Sequence, residues 1–145
     1  KFKELNKKKF FIETAKVFNN YYGSPYKNIK DSFKKNKHIL FDIDWQGAKK
    51  LRKKFKEADI VDFFILPPNK KELKRRLLKR GRDNKQEINL RLSLALEEMR
   101  HYNEYKYVII NENIKETVNK LIKIIEYQTL IEKNNQILMK KLKKI

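Results

Sequence analysis

The chain has 145 residues, 40% of them hydrophobic and dispersed, which suits one compact domain with a core and excludes a disordered chain. No apolar run approaches the roughly 18 residues of a membrane-crossing helix, no signal-peptide pattern occurs, and zero cysteines exclude disulfides and thiolate metal sites, so a soluble, cytoplasmic protein with no membrane partner is expected. The net charge of +19 is spread by lysines over every segment, with few aromatics interleaved for base stacking; this favours a lysine-rich surface over a nucleic-acid groove, which stays as an alternative.

Residues 1–32 are expected to form short strands and turns around Tyr21-Tyr22-Gly23-Ser24-Pro25, a small insertion over a sheet. Three apolar runs follow: His38 to Asp42, Val61 to Pro68, and Tyr107 to Asn111. Short β-branched and aromatic runs of this kind suit strands buried on both faces of a parallel sheet. Helices are expected between them. One runs from Lys70 to Arg80. A longer one, from about Lys85 to Tyr102, carries Ile88, Leu92, Ala95 and Met99 on one face. A third, from Lys115 onward, carries Val118, Leu121, Ile122 and Ile125, and the chain ends in a basic helical tail over its last fifteen residues. Strands alternating with helices imply α/β, where ligands bind beyond the carboxyl ends of the strands. That rule selects Asp42, Asp44, Pro67-Pro68 and Asn111.

Four blocks carry the chemistry. They are Phe10-Phe11-Ile12-Glu13 with Asn20-Tyr21-Tyr22-Gly23-Ser24-Pro25; Ile39-Leu40-Phe41-Asp42-Ile43-Asp44-Trp45-Gln46-Gly47-Ala48; Phe64-Ile65-Leu66-Pro67-Pro68 leading through Glu72 to Arg76, Arg80-Gly81 and Arg91; and His101-Tyr102-Asn103-Glu104-Tyr105 running into Asn111. In this order and spacing the blocks resemble guanylate kinase from about Phe10 to Leu130. The resemblance implies a P-loop NTPase-like parallel sheet flanked by helices, with a small GMP-binding insertion and a helical lid. The expected division is 1–32 for the GMP-binding remainder, 33–75 for core, 76–95 for the lid, 96–130 for core and 131–145 for the tail. It also implies phosphoryl transfer from ATP to GMP, giving ADP and GDP, with Mg²⁺ accompanying ATP.

By that resemblance Glu13 faces the guanine, Ser24 meets its O6, and Tyr22 holds the GMP phosphate. The chemistry suits Glu13, because guanine offers N1–H and the 2-amino group as adjacent donors to two carboxylate oxygens. Adenine leaves such a carboxylate unpaired, and sites built this way can reject the wrong partner by ~10⁴-fold. Asp42 and Asp44 alternate along a run, so on a strand they share a face. The resemblance sets them between the nucleotides, on GMP and near Mg²⁺ through water, with no direct metal ligand. Arg76, Arg80 and Arg91 match lid arginines that stabilise the transferring phosphoryl charge, Arg76 and Arg80 also binding ATP, and Asn111 matches an asparagine near the adenine. His101 reads as structural, and Arg75, Lys79 and Arg82 as solvated basic residues.

A phosphate loop, G-x-x-x-x-G-K-[ST], needs two glycines five apart, and Gly23, Gly47 and Gly81 supply no such pair. The first strand and the loop are therefore expected to lie outside these residues, leaving them inactive alone and some strand edges open. Two other functions stand as alternatives: a guanylate-kinase-like protein-interaction module, and a basic nucleic-acid-binding protein. Retention of Glu13, Tyr22, Ser24, Asp42 and Asp44 weighs against the first.

Overall fold

The computed structural model describes residues 1–17, 20–35, 37–56, 60–79 and 85–143, which gather into two compact units, Lys1–Ile60 and Val61–Ile145. The first unit is built on an antiparallel hairpin of β1 (Phe11–Val17) and β2 (Asn20–Pro25), preceded by a short helix α1 (Phe2–Lys7). Lys9 takes a φ of 53°, the left-handed turn that sends the chain from α1 into β1. Phe2 then stacks on Phe11 at 4.8 Å and on Tyr21 at 5.3 Å. Helices α2 (Tyr26–Lys34) and α3 (Trp45–Arg52) pack on the hairpin, so residues 1–32 hold more helix than their turn-rich sequence suggests. Ile12, Ile29 and Leu51 form the centre of the core, with Tyr26, Ile39, Phe41, Ile43 and Phe55 around them.

The run from His38 to Asp42, expected as a buried strand, forms no strand; among the described residues no ladder partner lies beside it. It keeps a strand's alternation nonetheless. Ile39, Phe41 and Ile43 turn to the core, whereas Leu40 is 92% exposed and Asp42 is exposed. One face is covered and the other is not.

In the second unit β3 (Phe63–Leu66) and β4 (Tyr107–Ile110) pair in parallel, from Phe63 opposite Tyr107 to Leu66 opposite Ile110. Between them in the chain lie α4 (Lys70–Lys79) and α5 (Lys85–Met99), which pack together, and a short 3-10 helix (Tyr102–Glu104); a further helix α6 (Ile114–Leu142) follows. Pro67 and Pro68 end β3, and the Asn69 side chain accepts from Glu72 N–H at 2.9 Å to start α4. Asn113 starts α6 the same way, accepting from Lys115 and Glu116 N–H. A ladder of two strands cannot cover both its faces, so Ile65, Val108 and Ile110 remain half-exposed instead of buried.

The expected inward face of α5 is present: Ile88 is buried and Leu92, Ala95 and Met99 are half-buried beside it. The expected face of α6 is corrected. Its covered stripe is Thr117, Leu121, Ile124, Gln128 and Ile131, while Val118, Ile122 and Ile125 point outward. The reason is polar. Thr117 Oγ1 donates to Asn111 Oδ1 at 3.2 Å and Gln128 Nε2 donates to the Tyr107 hydroxyl at 2.6 Å, so two polar residues take inward positions with partners. The tail is no separate element, because α6 runs unbroken through it to Leu142.

Candidate functional site

The first unit gathers a pair of carboxylates. Glu13 lies on β1 opposite Ser24, and the register slips between Phe11 and Glu13. A strand buries every second residue, yet Ile12 and Glu13 are both 4% exposed. The irregularity accounts for it: an extra residue on one strand re-aims a side chain that alternation would turn to solvent. A buried carboxylate needs donors, and Ser24 Oγ supplies one to Glu13 Oε1 at 2.7 Å.

Asp44 comes from the other side. It is the N-cap of α3, its Oδ1 accepting from Gly47 N–H at 2.8 Å. Its second oxygen, Oδ2, is buried and has no hydrogen-bond partner. Such an oxygen is costly unless a ligand or water donates to it. Gly47 lies between the two acids, since a Cβ there would come within 3.0 Å of Glu13 Oε2 and 3.4 Å of Asp44 Oδ1.

Behind β1, Lys50 Nζ donates to the Thr14 carbonyl, and Lys54 Nζ donates to the Ile12 carbonyl and, at 3.1 Å, to the Tyr26 hydroxyl. They satisfy the edge of β1 that β2 leaves unpaired. Tyr22, two residues before Ser24 on β2, shares its face and is 55% exposed, a reach suited to a part of a ligand nearer solvent. Asp42 does not join the pair. It stays exposed, because Asp44 turns in to cap α3 while Asp42 keeps the outward face of the extended run.

The second unit organises the arginine candidates differently. Arg76 donates from Nε to Glu72 Oε1 and from Nη2 to the Asn111 carbonyl, both at 2.8 Å. Asn111 also donates its N–H to the Leu66 carbonyl at 2.7 Å, so one residue ties the ends of β3, β4 and α4 together. Arg75 grips Glu72 with two nitrogens at 2.6 and 2.7 Å. These bonds, Arg75's first and then Arg76's, hold the Glu72 carboxyl down at about 2, against an ordinary 4.5. A groove lined by Ile65, Leu66, Pro67, Leu73, Arg76 and Leu77 opens beside them, beyond the carboxyl end of β3. Arg91 is half-buried on α5. Arg80 lies outside the described residues. His101 Nδ1 meets Glu104 Oε1 at 2.5 Å, the structural role its block implies.

Sequence reasoning selected Glu13, Ser24 and Asp44 but missed Gly47, Lys50, Lys54 and Thr117. For Gly47 a signal existed: a glycine just inside a helix costs about 1 kcal/mol against alanine, so it asks for a reason. For the lysines none did, since they are two among many.

A buried carboxylate with a hydroxyl beside it and a second, unsatisfied carboxylate oxygen nearby are acceptors that clustered N–H donors would satisfy. Among known proteins, the family model described as guanylate kinase matches residues 1–128. The guanylate kinase of Buchnera aphidicola subsp. Baizongia pistaciae is 45% identical over 139 residues, covering 92% of this chain and 66% of that protein. That of Rickettsia felis is 44% identical over 124 residues, covering 86% of this chain and 64% of that protein. The crystal structure of guanylate kinase from Anaplasma phagocytophilum matches with a TM-score of 0.73 at 37% identity, over 88% of this chain and 60% of that one. The chain belongs to the guanylate kinase family. It spans slightly under two thirds of the length of these relatives.

Proposed function

We propose that the chain provides the acceptor side of a guanylate kinase, ATP + GMP giving ADP + GDP, in the cytoplasm. The observation that carries this reading is the Glu13–Ser24 pair: a carboxylate 4% exposed, with one donor at 2.7 Å. Glu13 takes N1–H and the 2-amino group of guanine, and Ser24 faces O6. Asp44 Oδ2, buried without a donor, accepts from the same edge of the base. Tyr22 reaches toward the GMP phosphate.

In transfer, a GMP phosphate oxygen forms a bond to the γ-phosphorus of ATP while the bond from that phosphorus to the β-bridging oxygen breaks, and ADP leaves. The nucleophile is already anionic, so no general base is required. Arg76, Arg80 and Arg91 supply positive charge to the equatorial oxygens, and Asn111 stands on the adenine side. Arg76 holds Glu72 and the Asn111 carbonyl, so it reaches a phosphate by exchanging one of these partners. Mg²⁺ fits the residues present. The Asp42 and Asp44 carboxylates would hold waters of an ion that is itself carried by the nucleotide phosphates. When bound, it neutralises phosphate charge.

No phosphate loop occurs in the sequence, so turnover by these residues alone is not expected. Among the described residues no helix is long and apolar enough to cross a membrane. The test measures binding of GMP and AMP to the chain, and kinase activity after a strand and phosphate loop from a relative are joined ahead of Lys1. GMP is expected to bind well above AMP, with Glu13→Ala abolishing the difference. Equal binding of both nucleotides by the unaltered chain would sink the reading.

A further inference from the structure

Gly47 stands where two carboxylates converge. A Cβ built on it would lie 3.0 Å from Glu13 Oε2, 3.2 Å from Ile43 Cβ and 3.4 Å from Asp44 Oδ1. One oxygen from β1 and one from the cap of α3 thus approach a single point. Glu13 has little room to yield, being 4% exposed and held by Ser24 at 2.7 Å. Glycine disfavours a helix relative to alanine, yet it is the third residue of the eight in α3. Close approach by another group is the usual reason for such a glycine.

We infer that Gly47 is the positioning residue for guanine selectivity, its bare Cα letting the Glu13 carboxylate sit deep enough to meet the 2-amino group. The inference rests on the acceptor-site reading above. Its N–H fixes Asp44 Oδ1 at 2.8 Å, so the same residue sets both acids. A methyl at this position pushes Glu13 Oε2 aside by a few tenths of an ångström, against a neighbour that is already bonded. Hypoxanthine keeps guanine's N1–H and O6 and lacks only the 2-amino group. The ratio of GMP to IMP affinity therefore reports where the carboxylate sits.

The experiment compares the unaltered chain with Gly47→Ala, Glu13→Ala and the double variant, by calorimetric binding of GMP and IMP and by urea unfolding. Gly47→Ala is expected to lower the GMP-to-IMP affinity ratio about tenfold, GMP losing more than IMP because only guanine carries the 2-amino group. Its shift in unfolding midpoint is expected to shrink when residue 13 is already alanine, because the obstructing oxygen is gone. Equal losses for GMP and IMP, or the same midpoint shift in both backgrounds, would overturn the proposal. Should Gly47→Ala fail to fold, recovery of a folded double variant supports the contact and continued failure overturns it. If the unaltered chain binds GMP no better than IMP, the acceptor-site reading falls and takes the selectivity role with it. The Gly47–Glu13 contact is then decided by the unfolding cycle alone.

Discussion

Ser24 stands opposite Glu13 across the hairpin ladder and gives it its hydroxyl proton at 2.7 Å. A hydroxyl has one proton to give. While Glu13 holds it, Ser24 presents only lone pairs to a ligand, so on the proposed GMP reading the proton turns from Glu13 to guanine O6 as the base's own donors replace it. The serine keeps a buried carboxylate satisfied in the empty site. Ser24→Ala is then expected to destabilise the chain by about 1–3 kcal/mol, the cost of a buried acceptor losing its partner. Urea unfolding of the two proteins checks this, and an unchanged midpoint would show that Glu13 finds water instead.

Glu72 gives the second unit a pH dependence of known sign. Hydrogen bonds from Arg75 and then Arg76 hold its folded pKa at about 2, below the ordinary 4.5. A depressed carboxylate stabilises the fold fully above pH 4.5 and loses that contribution as pH falls through about 2. Both groups are solvent-accessible, so the effect is modest and screened by salt. Glu72→Gln is expected to lower the unfolding midpoint of the chain at pH 7, by an amount that shrinks steadily as pH falls from 4.5 toward about 2. A difference that stays constant over that range would assign the effect to packing.

Lys50 and Lys54 reach from α3 and the turn after it to the Thr14 and Ile12 carbonyls of β1. Together they close an edge that a foreign strand could otherwise extend. Replacing both by Met keeps the apolar stems and removes the donors. The variant is expected to associate with rising concentration in sedimentation experiments, at salt levels where the unaltered chain does not. A variant that stays as dispersed as the parent would mean that edge sealing is not their role.

Much of this was legible from the sequence because the information was local. The helix face through Ile88, Leu92, Ala95 and Met99 follows from apolar residues three and four apart in one stretch of chain. The rest depends on pairing across the chain. Burial of Glu13 beside Ile12 comes from a register slip against β2, which neither strand declares alone. The inward face of α6 turns on Thr117 and Gln128 finding Asn111 and Tyr107, and a count of apolar residues steers past both. The run from His38 to Asp42 has a strand's composition and alternation but lacks a neighbour to bond with.

The end of α6 invites a last prediction. Its covered stripe stops at Ile131, and every described residue from Glu132 to Lys143 is exposed, including Ile137, Leu138, Met139 and Leu142 at 53–56%. A helical segment this short gains little from its own hydrogen bonds and here gains nothing from packing. Ending the chain after Glu132 is therefore expected to change the unfolding free energy by less than about 0.5 kcal/mol, the scatter typical of surface changes. The helical circular dichroism should fall by no more than the removed residues account for. Loss of stability beyond that would mean that the tail packs on the domain in solution, and its apolar residues would then be the place to look.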